Sequence, residues 1–288
     1  MRPFADVRRR ATAPVLSAAV LGTTAILACA AATAADTAGA SRTAYGEAVA
    51  VGRGTLRSYV TTRDGATTEL GVAFSEGALE GLPTTGVGHH GGGGPIHQYV
   101  LDFPSTATAP FRMVEVNWNP AGHEPDGAYA GVPHFDFHFW VVDRAAYAAR
   151  ANRLPAPEFV PAFNVQLGPP GSAPADVAVP RMGVHWVDTR SPELQRILGH
   201  PEAYRPFTTT FLHGTWDGRI LFWEPMITRA HLAAKRTASD AAVRDEVIPL
   251  PLPDRYQAPG RYPTAYRITW DGQAREYRVA LTDLTERR

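Results

Sequence analysis

The segment from Pro133 to Trp140 alternates polar and aromatic residues without a break, and this pattern constrains the fold more than any other in the chain. Successive side chains of a β-strand point to opposite faces. His134, Asp136 and His138 therefore lie on one face of a predicted strand, and the phenylalanines between them lie on the other. Core packing alone does not require a row of ionisable groups, so we interpret the row as a candidate functional site.

Three of the four aspartate–glycine pairs in the chain predict β-hairpins. They stand at residues 64–65, 217–218 and 271–272, each between strand-like segments. No segment shows the alternation of strands and helices that a parallel sheet needs. The 288 residues suffice for one large domain. We therefore predict a mainly β fold over residues 46–284, a single antiparallel β-barrel or sandwich with a few short helices.

The N-terminus has the pattern of a secretory signal peptide. Arginines precede an apolar run, and Ala32-Thr33-Ala34 fits a cleavage site. We predict a signal peptide at residues 1–34, a flexible lead-in at 35–45, and hence a secreted, extracytoplasmic protein. Cys29 is the single cysteine and stands in a lipoprotein-like context. Lipidation of Cys29 is the alternative, and only in that case do we expect membrane attachment.

Charge and cysteine content exclude several classes of function. The chain has 28 Lys+Arg and 28 Asp+Glu, so no basic excess favours nucleic acid. The predicted mature domain has no cysteine for disulfides or thiol catalysis. The motifs of a serine nucleophile elbow and a phosphate-binding loop are absent from the sequence. A small-molecule ligand and a homo-oligomeric assembly remain compatible with the sequence.

Two further segments supply ligand-type residues. His185 lies in a short apolar run, and Glu224 lies in Phe-Trp-Glu-Pro-Met. A lone carboxylate among apolar side chains is costly to bury unless a cation or a histidine compensates it. Imidazole and carboxylate ligands without sulfur suit Zn, Fe or Mn. We therefore predict a divalent transition-metal site drawn from His134, Asp136, His138, His185 and Glu224.

Strand geometry limits how many members of the row can share one ion. Residues two apart are separated by about 6.6 Å, and residues four apart by about 13 Å. We expect at most two adjacent members of the row to meet a metal, while the third orients or relays. His185 and Glu224 are expected to complete the site from other strands. Asp136 and Glu224 are the candidate general bases if they are not ligands.

Two other histidines are predicted to support these ligands. His123 lies in a turn-rich segment just before the predicted strand, where a solvated turn is the alternative. If the 217–218 pair forms a two-residue loop, Phe211 faces Glu224 across the hairpin. His213 then lies on the same face as Glu224, as its diagonal neighbour. The His89–His90 pair belongs to a glycine-rich loop, where solvated histidines are the simpler interpretation.

The ligand set resembles two known kinds of metal site. Cupin-type sites hold one metal with two histidines, a glutamate and a later histidine, but their first two histidines are two residues apart rather than four. The two-histidine, one-carboxylate triad of non-haem iron oxygenases roughly fits His134, Asp136 and His185. The helical cover of that oxygenase fold is missing from this sequence.

Four segments together resemble an uncharacterised family of secreted bacterial proteins, also found in Thermus. These segments are Gly122–Pro125, Pro133–Phe139, Met182–Asp188 and Phe222–Thr228, and the stretch that contains Tyr59–Thr61, Leu70–Val72 and Leu79–Pro83 fits too. The resemblance covers most of residues 50–280. It implies an exported β domain without an established activity.

Two classes of function stay open. The first is an extracytoplasmic metal-binding protein that acts on a small molecule, with the metal as Lewis acid or redox centre. The second is a non-enzymatic, oligomeric envelope or stress-related protein that binds a ligand. In that second class the ionisable row is a structural hydrogen-bond network. Convergence of His134 or His138 with His185 and Glu224 is the geometric test.

Overall fold

Sixteen strands form in the part of the chain that the computed structural model describes, which comprises residues 40–85, 97–107, 110–149, 164–166, 178–179, 182–216 and 219–288. The predicted signal peptide, the His89–His90 loop and the 217–218 turn lie outside these ranges. Residues from Gly39 to Arg288 make up one unit. None of the described helices combines the length and apolarity that a membrane crossing requires.

Two antiparallel sheets and one ribbon contain these strands. The first sheet has six strands, in the order β1 (Arg42–Val51), β2 (Gly54–Arg63), β3 (Ala66–Ser75), β15 (Glu276–Thr282), β14 (Ala265–Asp271) and β12 (Asp245–Pro249). The second has eight strands: β4 (His97–Asp102), β5 (Met113–Asn119), β6 (His134–Trp140), β11 (Arg219–Thr228), β10 (Thr209–Trp216), β9 (Gly183–Asp188) and β7 (Asn164–Gln166), with β8 (Ala178–Val179) also paired to β9. The ribbon joins β13 (Gly260–Tyr262) to β16 (Thr285–Arg287).

The described helices are short, as predicted. They are α1 (Arg144–Ala148), α2 (Arg229–Thr237) and α3 (Ala241–Arg244), with 3-10 turns at Glu76–Leu79, Pro192–Leu194 and Pro201–Ala203. Asp143 caps α1, because its side chain accepts a hydrogen bond of 2.8 Å from the Ala146 N–H. Helix α1 ends at Ala148, with Ala149 as its C-cap residue.

The apolar faces of the two sheets pack together as a β-sandwich. Phe135, Phe137 and Phe139 of β6 are fully buried in the main core cluster. The ring of Phe74 from the six-stranded sheet lies edge-on to Phe135 and Phe137, at 5.2 and 5.9 Å between centroids. Neither large sheet closes on itself within the described strands. The prediction of a mainly antiparallel β fold is confirmed, but its barrel alternative is wrong.

The hairpin turns show how far local sequence fixes register. Asp64 and Gly65 both have positive φ, +52° and +77°, as a two-residue hairpin turn requires. At the last hairpin Asp271 pairs with Glu276, so the turn is longer than the predicted Asp271-Gly272 pair. The Asp271 carboxylate accepts hydrogen bonds from the N–H groups of Gln273 and Ala274, both at 2.9 Å, and this folds the longer turn. Strand β1 begins at Arg42, inside the predicted lead-in.

Candidate metal centre

The ionisable row lies on the face of the eight-stranded sheet that points away from the sandwich core. The predicted alternation holds along β6, and His134, Asp136 and His138 are each 0% exposed. Tyr129, Leu194 and Phe207 cover one end of this face as part of a small apolar cluster. A second apolar cluster, which includes Trp140, Met182 and Phe222, lies at the other end. The row is therefore a buried polar band between two apolar clusters.

The first set of converging side chains, here called the sheet group, comprises His138, His185 and Glu224. His138 Nε2 lies 3.1 Å from Oε1 of Glu224, and His185 Nε2 lies 3.5 Å from Oε2. One ligand atom from each residue lies within 4.8 Å of the other two. Strands β6, β9 and β11 each supply one member. The predicted convergence across strands is therefore present with His138, and metal binding itself stays a prediction.

A glycine in the intervening strand shapes the sheet group. Gly214 of β10 pairs with His185 on one side and with Phe222 on the other. A Cβ atom on Gly214 would lie 1.9 Å from Cζ of the Phe222 ring, so only glycine fits. The Phe222 ring then contacts both histidines, at 4.9 Å from the His138 centroid and 5.1 Å from that of His185. Close packing on one aromatic ring thus restricts both imidazoles.

The second set, here called the loop group, comprises His123, His134 and Asp136. His134 Nε2 lies 3.2 Å from Oδ1 of Asp136, and His123 Nε2 lies 3.5 Å from Oδ2. The two imidazole centroids are 4.7 Å apart. Either His134 or His138 was expected to meet His185 and Glu224, and His134 lies in this separate group instead.

Backbone carbonyls fix the orientation of both imidazoles in the loop group. His123 Nδ1–H donates to the Glu124 carbonyl, and His134 Nδ1–H donates to the Val132 carbonyl, each at 2.7 Å. A carbonyl can only accept, so the proton of each ring is on Nδ1 and Nε2 faces the carboxylate. Metal-ligating histidines are commonly oriented in this way. Asn119 Nδ2 donates to Oδ2 of Asp136 at 2.7 Å and holds the carboxylate in place.

The loop between β5 and β6 brings His123 to this position. Gly122 has a φ of +66°, and a Cβ there would lie 2.1 Å from the Tyr129 carbonyl oxygen. The Gly131 N–H donates to the Ala121 carbonyl at 2.8 Å and closes the loop. A conformation that only glycine adopts easily therefore folds His123 back over the start of β6.

Electrostatics on this face favour bound positive charge. Burial alone would raise the pKa of Asp136, but the charges of His134 and His123 hold it well below its usual range. Burial lowers the pKa of His138, yet the Glu224 carboxylate outweighs burial and raises it to about 9. Burial raises the pKa of Glu224, and His138 opposes that shift. Asp136 thus stays ionised, and Glu224 favours positive charge on His138.

His213 lies on the other face of the sheet, and the prediction that it neighbours Glu224 is wrong. A register shift between Gly214 and Thr215 places His213 opposite Trp223, and Leu212 opposite Glu224. A slip of one residue exchanges the two faces of a strand. The ring of His213 contacts Phe211 and Trp223, at 4.9 and 5.7 Å between centroids.

Strand β5 carries polar residues that the sequence interpretation did not include. Glu115, Asn117 and Asn119 alternate with apolar residues, as the β6 row does. They pair in register with His138, Asp136 and His134, respectively, which puts both rows on one face. The alternation of Met113 to Asn119 could have identified this second row from sequence alone.

Comparisons with known proteins identify a likeness over only part of the chain. A family model described as TTHB210-like, hypothetical protein TTHB210, matches residues 62–118. No curated protein and no solved structure matches the chain. The match supports similarity to an uncharacterised family over β3 to β5. The match ends before the first residue of the loop group and of the sheet group. The segments Gly122–Pro125, Pro133–Phe139, Met182–Asp188 and Phe222–Thr228 also lie outside it.

Proposed function

We propose that this protein is an extracytoplasmic metalloprotein that binds a divalent transition-metal ion through His138, His185 and Glu224. The observation that carries the proposal is the approach of two imidazole Nε2 atoms to the two oxygens of one buried carboxylate, at 3.1 and 3.5 Å. Ligand atoms about 2.0–2.1 Å from a tetrahedral zinc ion lie about 3.3 Å from one another. The group therefore has the ligand types and spacing that Zn²⁺ takes, with Fe and Mn as further candidates.

The state of Glu224 supports a metal ion over a network of neutral groups. Both carboxylate oxygens are buried, and the Nε2 atoms of His138 and His185 lie 3.1 and 3.5 Å from them. An ionised carboxylate in such a place needs compensation by a cation. An ion that binds His138, His185 and Glu224 together supplies this compensation and uses the lone pairs of all three residues.

Three protein ligands leave at least one coordination position for water or a small ligand. The His185 side chain is 10% exposed, whereas those of His138 and Glu224 are fully buried, so exchange is expected from the His185 side. A metal with an open position polarises a bound carbonyl or phosphoryl oxygen, or lowers the pKa of a bound water. We therefore include Lewis-acid chemistry on a small molecule in the proposal.

The extracytoplasmic location rests on the predicted signal peptide. Its test is the mass of the mature protein recovered from the culture medium and from the membrane fraction. A chain that starts at Ala35 in the medium supports secretion. A chain that starts at a lipidated Cys29 supports the membrane-tethered alternative, and an intact Met1 in the cytoplasm would contradict both.

Metal analysis of the protein without an affinity tag tests the metal site. We expect His185→Ala and Glu224→Gln each to lower the zinc content by about one equivalent. His200→Gln changes an exposed histidine outside both groups and should leave the content unchanged. Less than about 0.2 equivalents of any transition metal, with a melting temperature that chelation leaves unchanged, would refute the proposal.

A further inference from the structure

We infer that His123, His134 and Asp136 form a second divalent-metal site that is separate from the sheet group. This inference stands on the loop group alone, and it makes His123 a ligand rather than a supporting residue. Asn119 acts as the positioning residue of the site, because it holds one Asp136 oxygen at 2.7 Å. Imidazole and carboxylate ligands without sulfur are a set that Zn²⁺ takes.

The geometry of the loop group resembles a metal shell in two respects. The Nε2 atoms of His123 and His134 approach different oxygens of Asp136, at 3.5 and 3.2 Å. These distances are near the ~3.3 Å that separates ligands of a tetrahedral zinc ion. Both opposite ring nitrogens donate to backbone carbonyls, so each ring is held by its own hydrogen bond before any ion binds.

Protons alone satisfy this arrangement poorly. Nδ1 carries the proton of each neutral ring, so the Nε2 lone pairs face an anionic carboxylate. His134 Nε2 and Asp136 Oδ1 lie 3.2 Å apart. One added proton would serve only one ring, and two would bury two cations with centroids 4.7 Å apart. One divalent ion accepts a lone pair from both rings and from the carboxylate.

The two groups share no residue, so neither carboxylate belongs to both. Asp136 and His138 are neighbours on one face of β6, about 6.6 Å apart along the strand. The loop group is also the more enclosed of the two. His134 and Asp136 are 0% exposed, and the His134 ring packs against Tyr129 and Phe207. We expect its ion to tie the β5–β6 loop to the sheet and to exchange more slowly than the ion of the sheet group.

Zinc stoichiometry in matched variants separates this inference from the proposed function. The wild type should bind two equivalents, His123→Gln one, and His185→Ala one. A wild type with one equivalent that His123→Gln retains would overturn the second site and leave the first intact. One equivalent that His123→Gln loses and His185→Ala retains would refute the sheet group and support the loop group. Less than about 0.2 equivalents in the wild type would overturn both sites.

Two further variants control for folding and for adventitious metal. Asn119→Ala keeps all three ligands, so the protein should fold and still bind, with zinc affinity lowered about 10–100-fold in chelator competition. Unchanged affinity would count against the site even if His123→Gln failed to fold. His89→Gln with His90→Gln removes the histidine pair outside the described residues and should leave two equivalents.

Loop protection gives a readout that does not depend on substitution of a ligand. Chelation of His185→Ala, which retains only the loop-group ion, should speed amide hydrogen exchange in residues 120–133. Restored zinc should slow it again. Exchange that does not respond to zinc in this loop, in a protein that still holds one equivalent, would place that ion elsewhere and overturn the inference.

Discussion

The two faces of the eight-stranded sheet bury histidine with opposite electrostatic results. His213 and His138 are both 0% exposed. Burial among apolar residues lowers the pKa of His213 to about 3. Burial also lowers the pKa of His138, but Glu224 raises it to about 9. A nearby buried carboxylate thus decides whether a buried histidine stays neutral or can carry positive charge.

Along β6, residues that stabilise the fold therefore alternate with residues of the candidate site. In β6 each phenylalanine packs into the sandwich core, and each residue between the phenylalanines faces the candidate metal groups. The core face can therefore hold the sheet together while the polar face keeps candidate ligands that core packing does not require. Substitutions on the two faces should then change different properties.

The largest effect on stability is expected on the core face. Phe137 is fully buried and packs on Phe74, so Phe137→Ala should lower the free energy of unfolding by about 3–5 kcal/mol. Chemical denaturation measures this change, and zinc stoichiometry of the folded fraction should stay at the wild-type value. Phe137→Leu is the milder variant if alanine prevents folding. Loss of metal from a folded Phe137 variant would show that the faces are not independent.

The sequence predicted the faces of β6 better than the grouping of its candidate ligands. Strict alternation from His134 to Trp140 determines which side chains share a face, because the side-chain period of a strand is two. The division of the row between two groups depends on where other elements place His123 and His185. Alternation within one strand carries no information about that placement.

Two local backbone features determine where His213 and His123 lie. The register shift beside Gly214 puts His213 on the core face. Strand pairing counted back from an assumed two-residue loop cannot reveal such a shift. The positive φ of Gly122 folds His123 onto the sheet, whereas turn composition alone predicted a bend without its direction. In both cases a glycine accepts a conformation or a close contact that other residues cannot.

Gly214→Ala tests the polar face without changing a ligand. The new methyl group would overlap the Phe222 ring, and displacement of that ring should cost about 1–3 kcal/mol of stability. Because Phe222 contacts His138 and His185, the sheet group should lose zinc affinity while the loop group keeps its ion. Competition with a chromophoric chelator measures the zinc affinity of each group separately. Equal weakening of both ions would mean that the substitution acts through general loss of stability.

Glu246 is a carboxylate whose negative charge is compensated by side chains of the protein. Its Oε2 atom accepts hydrogen bonds from His231 at 2.7 Å and from Lys235 at 2.5 Å. His231 and Lys235 lower the pKa of Glu246 to about 2 against the opposing effect of burial. The contacts of Glu246 with His231 and Lys235 should therefore stabilise the fold without any metal.

The pH dependence of Glu246→Gln measures that contribution. The folded-state pKa lies below the unfolded value, so the stability is fully present above about pH 4.5 and is lost as pH falls through about 2. Because Glu246 is partly exposed, we expect Glu246→Gln to cost about 2 kcal/mol at pH 7 and nearly nothing at pH 2. Denaturation curves with and without chelator should give the same difference. A difference that depends on chelator would contradict the assignment of Glu246 to a metal-free pair.

The smallest effect on metal binding is expected at His213, and it decides whether the comparison of the two faces holds. His213→Gln replaces a buried histidine by another polar side chain in the same strand as Gly214, but on the core face. We expect a loss of about 1 kcal/mol in stability and no change in zinc stoichiometry or affinity. His138→Gln, equally buried on the polar face, should lose one equivalent. If the two variants lost metal alike, burial of any histidine in this sheet would matter for binding, and the carboxylate on the polar face would no longer explain the difference.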